Sequence, residues 1–133
     1  MKIVGIIGPY FSEGNRRLID HNIANVQYVT IAIANYFGKN GLVGFFAPHS
    51  HTARFEKLAN APESYYHILD DTIYGRACDG FILLPEWENS KGACRDHENA
   101  VTAKKRIFVL TDYNVLYVKT LMKQLERWAL GKE

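Results

Sequence analysis

The chain has no apolar run that approaches the ~20 residues a bilayer span requires, so no membrane partner is expected. It also lacks a basic block. Its 16 Lys and Arg and 14 Asp and Glu are interspersed and leave a net charge of +2. The electrostatic footprint of a nucleic-acid-binding protein is therefore missing, and a nucleic acid polymer is not the expected partner. Only two cysteines occur, Cys78 and Cys94. They have neither CxxC spacing nor a secretory setting and read as reduced thiols. No GxxxxGK[ST] phosphate loop and no GxGxxG turn is present, which removes the usual ATP and NAD sites and leaves no cofactor expected. HExxH is absent too. His49 and His51, two apart with no nearby cysteine, are too little for a metal site, and no metal is expected. There is no GxSxG elbow, and neither cysteine has an obvious base partner, so a serine or cysteine nucleophile is not expected. Repeats, low-complexity tracts and a signal-peptide n-region are lacking. These absences frame the expectation of a soluble, cytoplasmic protein with one domain over residues 1–133.

What is present is ample for a packed core: 47% of residues are apolar and 13% aromatic. The opening KIVGII is a β-branched run closed by Gly8-Pro9, the pattern of a central parallel strand. Leu18, Ile19, Ile23, Val26, Val29, Thr30, Ile33 and Phe37 recur at three and four and predict a long amphipathic helix, ended by Gly38 and Gly41. Residues 42–47 predict a second strand, and a long, unstructured loop follows from Pro48 to Pro62. A helix is expected from near Pro62 to about Ala77, then a strand over 80–84, a helix over about 93–104, a strand over 106–110 and a helix over 115–130. Four strand–helix units with short connections imply a three-layer, doubly wound α/β fold with a parallel sheet of order 2-1-3-4. Ligands of such sheets bind at the strands' carboxyl ends, at the switch point between the first and third strands. That would gather Tyr10, the His49 loop and the segment from Trp87 to Asp96 around one crevice.

Residues 79–98, DGFILLPEWENSKGACRDHE, hold the richest chemistry. An apolar strand stopped by Pro85 feeds a polar loop and then a helix N-terminus, whose free N–H groups suit an anion. Ser90 and Gly92 either present Oγ and backbone N–H groups to a phosphate or sugar hydroxyl, or are a helix N-cap followed by a turn. Asp96 and Glu98, two apart on a helix, face different ways and cannot pair with each other. Asp70 or Asp71 on the preceding helix can aim at the same crevice, and carboxylates from two helices suit glycosidic chemistry. Trp87 and Phe11 either stack on a base or pack the core. His49 lines the pocket or holds its loop by a hydrogen bond.

Taken in order, Ile6-Ile7-Gly8-Pro9-Tyr10, the helix start at Asn22-Ile23, Pro48-His49-Ser50-His51-Thr52, residues 71–79 and Leu84 to Ala93 resemble the nucleoside 2-deoxyribosyltransferase-like superfamily, in particular its small members. The resemblance spans nearly all of the chain up to residue 110. It implies a flavodoxin-like fold and cleavage or transfer of the N-glycosidic bond of a (deoxy)nucleoside or nucleoside monophosphate, through a carboxylate that attacks the anomeric carbon. Carried over, Gly8-Pro9-Tyr10 form the floor with the Tyr10 hydroxyl near the nucleophile, Asp71 assists at the base, and Ser90 and Gly92 hold the sugar's 5′ end or its phosphate. The family places Glu four residues after the matched glycine, and here that position is Asp96. Three outcomes stand open: Asp96 acts from a shifted helix, Glu98 replaces it, or the protein binds nucleotides without turnover, as a sensor or sponge. The resemblance further implies a homodimer or larger homo-oligomer.

Overall fold

Strands and helices alternate along the whole chain in the computed structural model, which describes residues 1–133. The elements are β1 (Lys2–Ile7), α1 (Arg16–Phe37), β2 (Val43–Phe46), α2 (Pro48–His51), α3 (Phe55–Leu58), α4 (Glu63–Ala77), β3 (Gly80–Leu83), α5 (Lys91–Thr102), β4 (Arg106–Val109) and α6 (Val115–Ala129). The sheet runs β2-β1-β3-β4 and every neighbouring pair is parallel. No helix is long and apolar enough to cross a membrane.

The pleat sorts each strand's side chains between two helical layers. Val4 and Ile6 of β1, Ile82 and Leu84 at β3, and Phe108 and Leu110 at β4 enter the larger core with α1 and α6. Ile7, Phe81 and Leu83 point the other way, onto Tyr74 of α4 and Ala93 and Ala100 of α5. Burial of each such Leu, Ile or Phe stabilises the fold by roughly 1.5–3 kcal/mol, which makes the α1–α6 side the stronger layer. Tyr74 is the only buried residue of α4. Its ring lies over Gly5, where an added Cβ would stand 2.8 Å from the ring and 2.7 Å from Phe81. Its hydroxyl donates to the Ile6 carbonyl at 2.8 Å. The result is a flavodoxin-like, three-layer α/β fold.

Two local expectations are corrected. The stretch from Pro48 to Pro62 is not a plain loop: Pro48 opens the one-turn α2 at its first position, and α3 follows after Arg54, whose φ of 66° reverses the chain. Helices this short have no periodicity to read. α5 starts at Lys91 rather than near Ala93, because Ser90 caps it, its Oγ accepting from the Ala93 N–H at 3.2 Å.

Candidate functional site

α5 follows β3 and runs beside α4, and it brings one base, Arg95, and one acid, Asp96, toward the α4 acids Asp70 and Asp71. From α5, the Arg95 guanidinium reaches both carboxylate oxygens of Asp71 on α4, at 3.0 and 3.3 Å. The fork geometry of Arg suits such two-point contact. The same guanidinium lies 3.7 Å from Asp96, whose side chain is only 21% exposed. Burial pushes the Asp96 carboxyl up from the ordinary 3.8 to about 7; Arg95 opposes the rise, and Asp71 and Asp70 add to it. Asp70 is pushed up to about 6, again first by burial, with His51 pulling it down and Asp71 pushing it up. One of its oxygens is buried without a hydrogen-bond partner. Burial and then the field of Asp96 hold the Tyr74 hydroxyl protonated, as its donation to Ile6 requires. Asp70, Asp71, Arg95 and Asp96 thus form one electrostatic unit. It can deliver a carboxylate nucleophile and a carboxylic acid near neutral pH.

Around the end of β1 the residues tie loops together. His49 is buried, and its Nε2 donates toward the carbonyls of Pro9 at 2.8 Å and Gly8 at 3.1 Å. Burial lowers its pKa, so the imidazole is neutral with the proton on Nε2, because carbonyl oxygens only accept. A Cβ at Gly8 would stand 3.0 Å from Leu84, so glycine lets the two strand ends approach closely. The Tyr10 hydroxyl accepts from the Arg54 N–H at 2.6 Å and reaches the Glu56 carboxylate at 3.1 and 3.2 Å. It therefore anchors the α2–α3 segment.

The remaining candidates divide. Trp87 packs on the α4–α5 core and stands 4.4 Å from the His97 ring. Phe11 is exposed. Gly92 is exposed, and a Cβ there would stand 4.0 Å from the Oγ of the capping Ser90 at the head of α5. Glu98 is exposed on the opposite side of α5 from Asp96, as their spacing requires.

Two cavities lie near these residues, and neither has Asp96 in its lining. A groove of about 530 Å³ is lined by Phe55, Tyr65, Tyr66, His51 and neighbours, next to Asp70 on α4. A second cavity of about 400 Å³ lies over the ends of β1, β3 and β4, among Asn22, Asn25, Glu86, Asp112 and others. Sequence reasoning missed Arg95, although a base directly before a candidate acid, opposite an Asp70-Asp71 doublet, is a usable signal. It placed a crevice at this switch point but missed the lining of the second cavity, because Asn22, Glu86 and Asp112 come from three elements and share no motif. No group of three or more His, Cys, Asp or Glu side chains is placed to hold a metal.

Fold and site together describe a flavodoxin-like protein with a part-buried carboxylate–guanidinium cluster between α4 and α5. Among known proteins, no family model, no curated protein and no solved structure matches the chain.

Proposed function

We propose that the protein cleaves or transfers the N-glycosidic bond of a (deoxy)nucleoside or nucleoside monophosphate, with Asp96 as nucleophile. The observation that carries this reading is Asp96 itself: a largely buried carboxyl near 7, beside Arg95, with two further acids from the facing helix. In the proposed reaction an Asp96 oxygen attacks the anomeric carbon. The bond to the base breaks with its electron pair going to the base nitrogen, and a proton from Asp70 or solvent neutralises the departing base. Water or a second base then takes the sugar from Asp96 and frees the carboxylate. Arg95, held by Asp71, keeps Asp96 partly ionised against its burial. The first N–H groups of α5, with Ser90 and Gly92, suit the 5′ hydroxyl or phosphate. Exposed Tyr65 and Ile68 on α4 support a homo-oligomer.

A binding-only reading is favoured by one observation, that Asp96 lines neither cavity. Incubation with a panel of deoxynucleosides and their monophosphates, followed by chromatography, distinguishes the two. The enzyme reading expects free base from the wild type and about a 10³-fold loss or more in Asp96→Ala, as removal of a nucleophile gives. Ligand-induced melting shifts without base release in either protein would support binding alone.

A further inference from the structure

β4 ends the sheet on one side: it pairs with β3 and has no strand beyond it. The Leu110 N–H donates to the Leu83 carbonyl at 2.9 Å. Backbone direction alternates along a strand, so Phe108 and Leu110 turn their N–H and C=O groups to β3, while those of Ile107 and Val109 face away from the sheet. Val109 is also 53% exposed. An edge that is both unpaired and apolar is a template for another strand.

This strand is complementary to itself. Two copies of β4 laid antiparallel and centred on Phe108 set Ile107 of each opposite Val109 of the other, which pairs the outward N–H and C=O groups of both. The same register brings Lys104, just before the strand, beside Asp112 of the second copy, just after it.

One side chain stands in the way. Arg106, the first residue of β4, carries its guanidinium to the open side, where Nη1 donates to the outward Ile107 carbonyl. Its Nε reaches both Glu133 carboxylate oxygens at 3.0 and 3.1 Å, and its Nη2 reaches one of them at 2.6 Å. Such a fork-shaped contact is the strong form of an ion pair. It also holds the Glu133 carboxyl below its ordinary value, chiefly through the hydrogen bond. The guanidinium carbon lies 4.1 Å from the centre of the Phe108 ring, within reach of a cation–π contact. Ile107, Glu133 and Phe108 thus fix this arginine on the strand edge, where a strand could be added only by displacing it.

We infer that Arg106 is an edge guard: pinned by Glu133, it covers the open side of β4 and keeps a second copy from adding its own β4 there. The device is independent of the α4–α5 cluster, of the proposed glycosidic activity and of any association through α4.

Analytical ultracentrifugation over about a hundredfold range of concentration, with amide exchange of Ile107 and Val109 followed by NMR, tests this. In the wild type the two amides are expected to exchange at a rate that does not depend on concentration. Arg106→Ala is expected to associate about tenfold more tightly or better, with exchange of Ile107 and Val109 slowing as concentration rises. Glu133→Gln keeps the arginine but loosens it, and is expected to move the same readings in the same direction by about a few-fold. Adding Val109→Lys to Arg106→Ala puts a charge on the exposed edge and is expected to restore the wild-type readings. The inference is overturned if Arg106→Ala associates no better than the wild type, or if its association leaves the two amides unprotected or survives Val109→Lys. It is equally overturned if the wild-type amides already slow with concentration. Should Arg106→Ala fail to fold, Glu133→Gln decides alone, and readings equal to the wild type overturn the inference.

Discussion

Asp96 is an acid held near neutrality by its surroundings, and that has a measurable consequence for stability. Its folded pKa lies above the unfolded one, so between 3.8 and about 7 the folded state holds the proton more tightly than the unfolded state does. Its contribution to stability is therefore greatest at the acid end, declines as pH rises through that window, and is level above it. Asp70 adds a similar decline between 3.8 and about 6. Asp96→Asn keeps the shape without the charge and should raise stability at pH 8 by on the order of 2 kcal/mol, with little change near pH 4. Urea denaturation at the two pH values measures this; an equal effect at both would place the cause outside ionisation. Arg95 remains paired with Asp71 in this variant, so no orphaned cation confuses the comparison. Tyr74→Phe leaves the Ile6 carbonyl without its 2.8 Å donor and should cost about 1–2 kcal/mol in the same assay. Asp96 was legible in the sequence from its place after a strand, a serine and a glycine. The Arg95–Asp71 pairing was not, because it depends on how two helices are rotated toward each other.

At the scale of elements, the two helical layers differ in their hold on the sheet. α1 buries seven residues and α6 five, whereas α4 buries Tyr74 alone. Local opening free energy follows buried apolar contact, so amide exchange in α4 should be faster than in α1 by about tenfold or more. Native-state hydrogen exchange read by fragment checks this, and equal protection in the two helices would contradict it. The same contrast explains what the sequence disclosed. The long helices α1 and α6 announce themselves by spacing, and β1 by its branched run. α2 and α3 do not, since one turn of helix is specified by Pro48 and by contacts such as Tyr10 with Arg54 and Glu56. At the head of α5, Ser90→Ala should cost about 1 kcal/mol by losing the cap, while Ser90→Asn, which can also cap, should cost a few tenths. If base release falls in both variants while only one loses stability, Ser90 also contacts substrate.

Over the whole molecule, the carboxyl ends of the strands carry one cavity and the α4–α5 pair carries the acid cluster. The parallel order β2-β1-β3-β4 places α1 and α6 on one face and α4 and α5 on the other, and so creates both the switch-point cavity and the α4–α5 seam. This much was readable from the alternation of elements, since handedness and short connections leave few topologies. That Tyr10, His49 and Asp96 do not line the switch-point cavity was not readable, because His49 and Tyr10 spend their polar atoms on neighbouring loops. The proposed role of Asp96 at the seam is tested most directly by looking for the sugar on it. A 2′-fluorinated nucleoside slows release of the sugar from the enzyme, so the covalent ester accumulates and survives digestion for mass spectrometry. The account predicts the mass of the fluorinated sugar on the peptide that contains Asp96, with stoichiometric release of base, and neither in Asp96→Asn. Base released with no sugar on that peptide, and at an undiminished rate in Asp96→Asn, would contradict it, as would no base release from the wild type across the nucleoside and monophosphate panel.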